Sequence, residues 1–263
     1  GVWAFRVTLG MPPAPGLQPV PQVQRLRSGS RGGRRRRPRH PGRYRDHIST
    51  KLGKHCSSRH CRHRSGWIGG DHSITLGELR GLAKVMGPVA LVQLDAHCDT
   101  WDNYWGLRYT HGTPFRRAVE EGLLSVDHSI QVGMRGTEYA PGDLDDSRRL
   151  GFEVITTPEM LKSSPGAVAH AIKERVGDQP TFLTFDVDFF DPAYAPGTGT
   201  PEVGGPTSAY GLEIVTHLAG IHFAGFDVVE VLPAFDSAQT TALLAATLVF
   251  EFVALVALDP RRG

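Results

Sequence analysis

The chain has 263 residues, of which 40% are hydrophobic and 21% are charged, as in an ordinary globular protein with room for one sizeable α/β domain or two small ones. Its net charge of +2 hides an asymmetry, because residues 1–66 contain 16 Lys and Arg but a single acid, Asp46. Three cysteines are too few for a disulfide framework, which argues against a disulfide-rich secreted protein and favours a cytoplasmic location.

Residues 1–66 predict no regular element, because Pro/Gly-rich sequence gives way to RGGRRRRPRH and HCSSRHCRHR without apolar periodicity. The clustered arginines are compatible with a nucleic-acid-binding arm, and the His/Cys cluster with a loosely spaced zinc site. An Arg-rich, acid-poor segment is also typical of a mitochondrial transit peptide. The sequence of this segment does not by itself choose among these interpretations.

From Trp67 onward, apolar runs of strand length alternate with amphipathic segments. The predicted strands are 89–94, 129–134, 152–156, 181–187 and 223–231, and the predicted helices are 73–86, 114–124, 165–176 and 208–219. This alternation predicts an α/β domain of three α/β/α layers with a mostly parallel sheet, in which ligands bind beyond the carboxyl ends of the strands. The apolar stretch 242–258 predicts a buried terminal helix and no membrane role, because Glu251 interrupts it and a span needs about 20 residues.

Acidic and imidazole side chains follow two of these strands. The strand in VALVQLDAHCD leads into Asp95, His97 and Asp99, which extended spacing would direct to one side. TFLTF leads in the same way into Asp186 and Asp188, and His72 lies in the turn GGDHS. We therefore expect these side chains to converge at one edge of the sheet.

Four carboxylates and two imidazoles held together are strongly unfavourable unless cations neutralise them. Oxygen donors mixed with imidazole suit manganese-like ions, and six side chains exceed what one tetrahedral zinc ion requires. Bridging carboxylates would allow a pair of ions, and such a pair generates hydroxide from water at neutral pH. The pattern predicts a dinuclear hydrolase centre.

The motifs GGDHS, DAHCD, THGTPFRRA, FDVDFFDP, APGTGTPEVGG and DVVEVLPAFD occur in the order seen in the ureohydrolases. Over residues 67–258 the chain resembles this family of arginase and agmatinase, which implies an arginase-like fold, two Mn²⁺ ions and urea release from a guanidino substrate. By that resemblance one ion is bound by His72, Asp95, Asp99 and Asp186. The other is bound by His97, Asp95, Asp186 and Asp188, so that Asp95 and Asp186 bridge.

The resemblance also implies that His111 carries a proton to the leaving amine and that Glu230 holds the guanidinium group. Within the family the sequence is more similar to agmatinases than to arginases, because Trp101 stands where arginases have an asparagine that contacts the substrate's amino-acid end. Trp101 is thus a predicted substrate-binding residue. Agmatine or 4-guanidinobutanoate is the expected substrate, with a proclavaminate amidinohydrolase as the alternative, and the family implies a homo-trimer or hexamer.

The family's N-terminal strands are not recognisable before Gly69, so we interpret residues 1–66 as an irregular or aberrant segment and 67–263 as the catalytic domain. On this interpretation a nucleic-acid partner is not expected. Two alternatives follow from the same observation. The chain could be an inactive scaffold that lacks these strands, or the Arg-rich segment could direct it to mitochondria.

Overall fold

The computed structural model describes residues 5–9, 22–25, 64–136 and 142–259. Its centre is an eight-stranded sheet with the order β2-β1-β3-β8-β7-β4-β5-β6. The strands are β1 (Phe5–Leu9), β2 (Gln22–Arg25), β3 (Arg64–Ile68), β4 (Ala90–Leu94), β5 (Ile130–Met134), β6 (Glu153–Thr156), β7 (Thr181–Asp186) and β8 (Phe223–Val229). The sheet is parallel from β3 to β6, and β1 pairs antiparallel with both β2 and β3.

Helices cover both faces of this sheet. They are α1 (Ile74–Met86), α2 (Pro114–Glu120), α3 (Asp143–Arg149), α4 (Thr157–Met160), α5 (Pro165–Val176), α6 (Ser208–His217) and α7 (Thr240–Ala257). One apolar core joins α1 and α2 to one face, through residues such as Leu79 and Phe115. A larger core joins α5, α6 and α7 to the other face, through residues such as Ile172 and Phe252. The predicted three-layer α/β/α architecture is therefore confirmed.

The strands β4, β5, β7 and β8 are buried along their whole length, which explains why each is a nearly continuous apolar run in the sequence. All five predicted strands and all four predicted amphipathic helices form. Two short helices, α3 and α4, were not predicted. The sequence DLDDSRR of α3 is almost entirely polar, so it carries none of the apolar periodicity on which a helix prediction rests.

The terminal helix α7 forms where it was predicted, but it is only partly buried. Leu248 and Phe252 lie in the core, whereas the side chains of Leu243 and Phe250 are each 70% exposed. By length and composition α7 could cross a membrane, yet 39% of it is buried inside the fold, and core helices pass the same test. The expectation of a buried helix is thus wrong for one of its sides, because α7 packs on the sheet through a single stripe.

We predicted no regular element before residue 67, whereas the structure has β1, β2 and the first residues of β3 there. Strand β3 has little apolar character, and its Gly66 lies under the ring of Phe226 on β8, where a Cβ atom would stand 2.2 Å from Cζ. Such a strand is specified by its partner more than by its own residues. The proposed RGGRRRRPRH arm and the His/Cys cluster of residues 55–63 lie outside the described residues.

Candidate metal centre

The candidate site lies at the carboxyl edge of the parallel sheet. Asp95 follows β4, Asp186 ends β7, Glu230 follows β8, and His72 lies in the turn that connects β3 to α1. Neighbouring parallel strands end at the same edge, so residues that are far apart in the chain meet there. The structure brings all six predicted metal-binding side chains to this edge.

The first group of candidate ligands surrounds the imidazole of His72. Its Nδ1 atom lies 2.9 Å from Asp99 Oδ2 and 3.3 Å from one carboxylate oxygen each of Asp95 and Asp186. Although buried and close to three oxygens, Nδ1 makes no hydrogen bond of acceptable geometry within the described residues. The opposite nitrogen, Nε2, lies 2.8 Å from Thr184 Oγ1. A buried nitrogen without a hydrogen bond that faces three carboxylates is the arrangement expected of a metal ligand.

The second group surrounds His97. Its Nδ1 atom lies 3.1 Å from Asp188 Oδ2 and 3.6 Å from Asp95 Oδ1. The two groups that could each hold a metal ion are His72, Asp95 and Asp99, and Asp95, His97 and Asp188. Asp95 belongs to both, with Oδ2 on the side of His72 and Oδ1 on the side of His97. This is the geometry required of a bridging carboxylate.

The electrostatics of the cluster also favour a cation. Burial raises the pKa of Asp186, and the neighbouring Asp188 and Asp95 raise it further. Burial would by itself lower the pKa of His97, but Asp188 and Asp95 beside it raise that pKa to about 12. Each shift has the direction expected when negative charge is concentrated away from water. The arrangement is therefore a candidate site for divalent metal ions, built from oxygen and imidazole donors.

The path of the chain through residues 95–99 differs from our expectation of an extended strand. Strand β4 ends at Leu94, and Asp99 has a φ of +52°, a left-handed conformation that only Gly, Asn and Asp adopt with ease. His97 and Asp99 consequently face different groups instead of one point. Alternation along a strand was the wrong reason for their convergence, although the residues do meet around Asp95.

Glu230 and His111 lie next to the first group. Glu230 also has a positive φ, +60°, and its Oε1 accepts a hydrogen bond from the backbone N–H of His72 at 2.6 Å. The same oxygen lies 3.9 Å from His111 Nδ1. Burial raises the pKa of Glu230 to about 8. A strained, buried carboxylate beside a half-buried histidine is an unfavourable arrangement that a cationic ligand would relieve.

Trp101 forms part of a wall beside the site. Its Nε1–H donates to Asp143 Oδ2 at 2.7 Å, and its ring stacks on Tyr104 with centroids 5.2 Å apart. Tyr104 in turn contacts the ring of His111 edge-on at 5.0 Å. Trp101 and His97 line a small pocket beside this wall. Trp101 is therefore placed where it could contact a ligand, and its substrate-binding role stays a prediction.

Sequence reasoning missed the polar residues behind the ligands. Gln93 and Gln131 lie in buried strands, and Gln93 Nε2 donates to Asp95 Oδ2 at 2.7 Å. Asp227 on β8 accepts a 2.6 Å hydrogen bond from Thr75 Oγ1. Arg135, after β5, donates to several backbone carbonyl oxygens, including those of Asp188 and Glu202. The sequence signal of Gln93, Gln131 and Asp227 is polarity inside an apolar strand, which is costly unless the side chain has a partner.

The sequence model of the arginase family matches residues 37–254. Guanidinopropionase of Pseudomonas aeruginosa is 47% identical over 197 residues, which cover 74% of this chain and 62% of that protein. Agmatinase of Serratia proteamaculans is 48% identical over 190 residues, or 72% of this chain and 59% of that one. Guanidinobutyrase of Pseudomonas aeruginosa is 44% identical over 189 residues, which cover 72% of this chain and 59% of that protein.

Solved structures show the same relationship. Proclavaminate amidino hydrolase from Streptomyces clavuligerus superposes with a TM-score of 0.76 at 36% identity, covering 83% of this chain and 72% of that one. A hypothetical agmatinase from Burkholderia thailandensis has a TM-score of 0.74 at 39% identity, and the match covers 82% of this chain and 65% of that one. The chain spans only 62% and 59% of the lengths of the guanidinopropionase and guanidinobutyrase that it matches. The family match, the fold and the grouped ligands agree, and the chain belongs to the arginase family.

Proposed function

We propose that this chain binds two Mn²⁺ ions and hydrolyses a linear guanidino compound to an amine and urea. The observation that carries the proposal is the pair of overlapping groups around His72 and His97, which share Asp95. One metal ion would need only one such group. Two groups with a shared carboxylate support a dinuclear site.

In this proposal His72, Asp95, Asp99 and Asp186 hold one ion. His97, Asp95, Asp186 and Asp188 hold the other. The donors are carboxylate oxygens and imidazole nitrogens, a set that suits manganese and contains no thiolate. When bound, a pair of such ions lowers the pKa of a water molecule and supplies hydroxide near neutral pH.

The protein side chains then account for substrate binding and proton delivery. A guanidinium cation would pair with the carboxylate of Glu230, whose burial strengthens the interaction. In the overall reaction a water oxygen bonds to the guanidino carbon while the bond from that carbon to the substituted nitrogen breaks. His111, 3.9 Å from Glu230, would deliver a proton to that nitrogen so that it leaves as an amine. Trp101 would contact the substrate's tail.

The relatives support a substrate with a short linear tail. They are named agmatinase, guanidinobutyrase and guanidinopropionase, and we therefore expect agmatine or 4-guanidinobutanoate here. A second candidate is a proclavaminate-type amidinohydrolase, which the superposition on that enzyme at 36% identity favours. By the same family argument we propose a homo-oligomer, a trimer or hexamer, in the cytoplasm, with mitochondria as the alternative because one relative is a mitochondrial agmatinase.

Purification, manganese analysis and a urea-release assay test the proposal together. The assay compares agmatine, 4-guanidinobutanoate, 3-guanidinopropanoate, proclavaminate-type guanidines and arginine at saturating Mn²⁺. We expect two Mn²⁺ per chain, urea release from a linear guanidine and little from arginine. A folded, manganese-loaded protein that is inactive on every guanidine would instead support the inactive scaffold. One bound ion per chain would contradict the dinuclear site.

A further inference from the structure

We propose that Gln131 and Gln93 form a buried relay of amide hydrogen bonds that orients Asp95 between the two groups of candidate metal ligands. Neither glutamine is a candidate ligand, so both are positioning residues. The inference rests on the proposed metal site and deepens it. It states that residues on β4 and β5, behind the site, hold the shared carboxylate of Asp95 in position.

The register of the sheet places the two glutamines side by side. Gln93 and Gln131 are paired positions of the parallel strands β4 and β5, and both side chains are fully buried. Gln131 Nε2 donates to Gln93 Oε1 at 2.6 Å, and Gln93 Nε2 donates to Asp95 Oδ2 at 2.7 Å. An unbroken chain of hydrogen bonds therefore runs from β5 to the carboxylate of Asp95.

The second N–H of each amide ties down the backbone of the turn after β4. Gln93 Nε2 also donates to the carbonyl oxygen of His97 at 2.9 Å. Gln131 Nε2 donates to the carbonyl oxygen of Cys98 at 2.7 Å. The relay thus holds both a side chain and two peptide groups of the segment 95–98, which carries the shared Asp95 and also His97 of the second candidate ligand group.

The chemistry of the partners determines the orientation of both amides. A carboxylate and two carbonyl groups can only accept hydrogen bonds, so each glutamine must direct its NH₂ group toward the turn. Gln93 then presents its oxygen to Gln131, which has an N–H to donate. The reversed amide would place oxygen against oxygen in a buried site, which is strongly unfavourable.

The relay explains how Asp95 presents one oxygen to each group. Its Oδ1 accepts from the backbone N–H of His97 at 2.7 Å, and its Oδ2 accepts from Gln93. Each oxygen thus receives one neutral donor and keeps lone-pair capacity for a cation. Without Gln93, the plane of the carboxylate would be held on the Oδ1 side alone. Hydrogen bonds to a ligating carboxylate are known to set metal affinity in this way.

Mn²⁺ titration of the metal-free protein tests the relay without using activity. The variants are Gln93→Met, Gln131→Met and the double variant, each of which replaces an amide by an apolar side chain of similar length. The matched control is Thr181→Val, which removes a buried hydroxyl that bonds to the Gln179 carbonyl at the opposite end of β7. Thermal melting of each metal-free variant reports stability separately.

We expect Gln93→Met to weaken Mn²⁺ binding roughly 10–100-fold, the usual effect of removing a partner of a metal ligand. Gln131→Met should weaken it by a smaller factor, although it touches no candidate ligand side chain, and the double variant should match Gln93→Met. Thr181→Val should bind as the wild type does. If Gln93→Met does not fold, the Mn²⁺ affinity of Gln131→Met is sufficient by itself to test the relay.

Two results would overturn the relay. Wild-type affinity in Gln131→Met would show that β5 does not act on Asp95. Independent, multiplicative losses in the double variant would show that the two amides are not coupled. Failure of the proposed function is distinguishable, because the wild type itself would then release no urea from any guanidine.

Discussion

The carboxylate of Glu230 accepts a 2.6 Å hydrogen bond from the backbone N–H of His72, a residue 158 positions earlier in the chain. The bond joins the turn after β3 to the end of β8, and Glu230 N–H donates in return to the Gly70 carbonyl at 2.8 Å. The guanidinium-binding candidate is therefore tied directly to the backbone of a candidate metal ligand. In the proposed enzyme this contact would couple substrate binding to the geometry of the metal centre.

Glu230→Gln keeps the shape of the side chain and removes its charge. We expect kcat/KM for a guanidine to fall at least about 30-fold, because loss of one partner of a buried charged pair costs about 2 kcal/mol or more. Manganese content should stay at the wild-type value, since Glu230 belongs to neither candidate ligand group. Steady-state kinetics and metal analysis check both expectations, and unchanged kcat/KM would remove Glu230 from substrate binding.

The pH dependence of kcat/KM provides a second test of Glu230. Burial raises its pKa to about 8, and only the ionised form pairs with a guanidinium group. The value of kcat/KM should therefore fall as the pH falls through this pKa. Bound cations lower the pKa of a nearby carboxyl group, so in the metal-loaded enzyme this acid-side fall of kcat/KM should occur at or below pH 8. In Glu230→Gln the fall should be absent. If it remains in the variant, another group is responsible for it.

His111→Asn should lower kcat while leaving manganese content unchanged. His111 lies beside Glu230 but outside both groups of candidate ligands. A positioned proton donor contributes about 10²–10⁴-fold to a rate, and we expect a loss of that size at saturating substrate. The control is His170→Asn, an exposed histidine on α5 that pairs with Glu174. Equal activity of the two variants would contradict the role of His111.

Asp188→Asn tests whether there are two separate metal sites. Asp188 belongs to the group around His97, whereas Asp99 belongs to the group around His72. We expect Asp188→Asn to reduce the bound Mn²⁺ from two ions per chain to one, measured by elemental analysis after gel filtration. Asp99→Asn should do the same by emptying the other site. Retention of two ions by both variants would show that these carboxylates are not essential ligands.

Glu78 predicts a pH effect on stability that does not involve metal. It is buried on α1 next to Asp227, and burial followed by the charge of Asp227 raises its pKa well above the usual value. The folded state thus keeps a proton that the unfolded state releases, so this contribution to stability is present at low pH and is lost as the pH rises. Urea unfolding of the metal-free protein should show that loss as the pH is raised above the ordinary pKa of a glutamate.

Glu78→Gln should reduce this pH dependence, because the amide is neutral at every pH. At pH 9 we expect the variant to be more stable than the wild type, by about 1.4 kcal/mol for each unit by which burial and Asp227 raise the pKa of Glu78. Glu213→Gln, at an exposed position of α6, is the control and should match the wild type. A wild type whose stability does not change with pH would contradict the buried proton.

Most of the candidate metal ligands were recognisable in the sequence because they follow apolar runs of strand length. Asp95 and Asp186 are the best examples, since parallel strands must end at the same edge. The turn between Asp95 and Asp99 was not predictable in this way. Its left-handed Asp99 and its contacts to Gln93 and Gln131 depend on which strand lies next to β4, and strand order is not encoded in local periodicity.

The fold class, the predicted strands and helices and the side chains available for metal and guanidinium binding could be inferred from local sequence, because burial imposes apolar runs whose period can be counted. Three features could not: the pairing of β3 with β8 at Gly66, the exposure of Phe250 on α7, and the position of Asp95 between both ligand groups. These features arise from contacts between residues distant in the chain. Their free energy depends on the neighbour as much as on the residue itself.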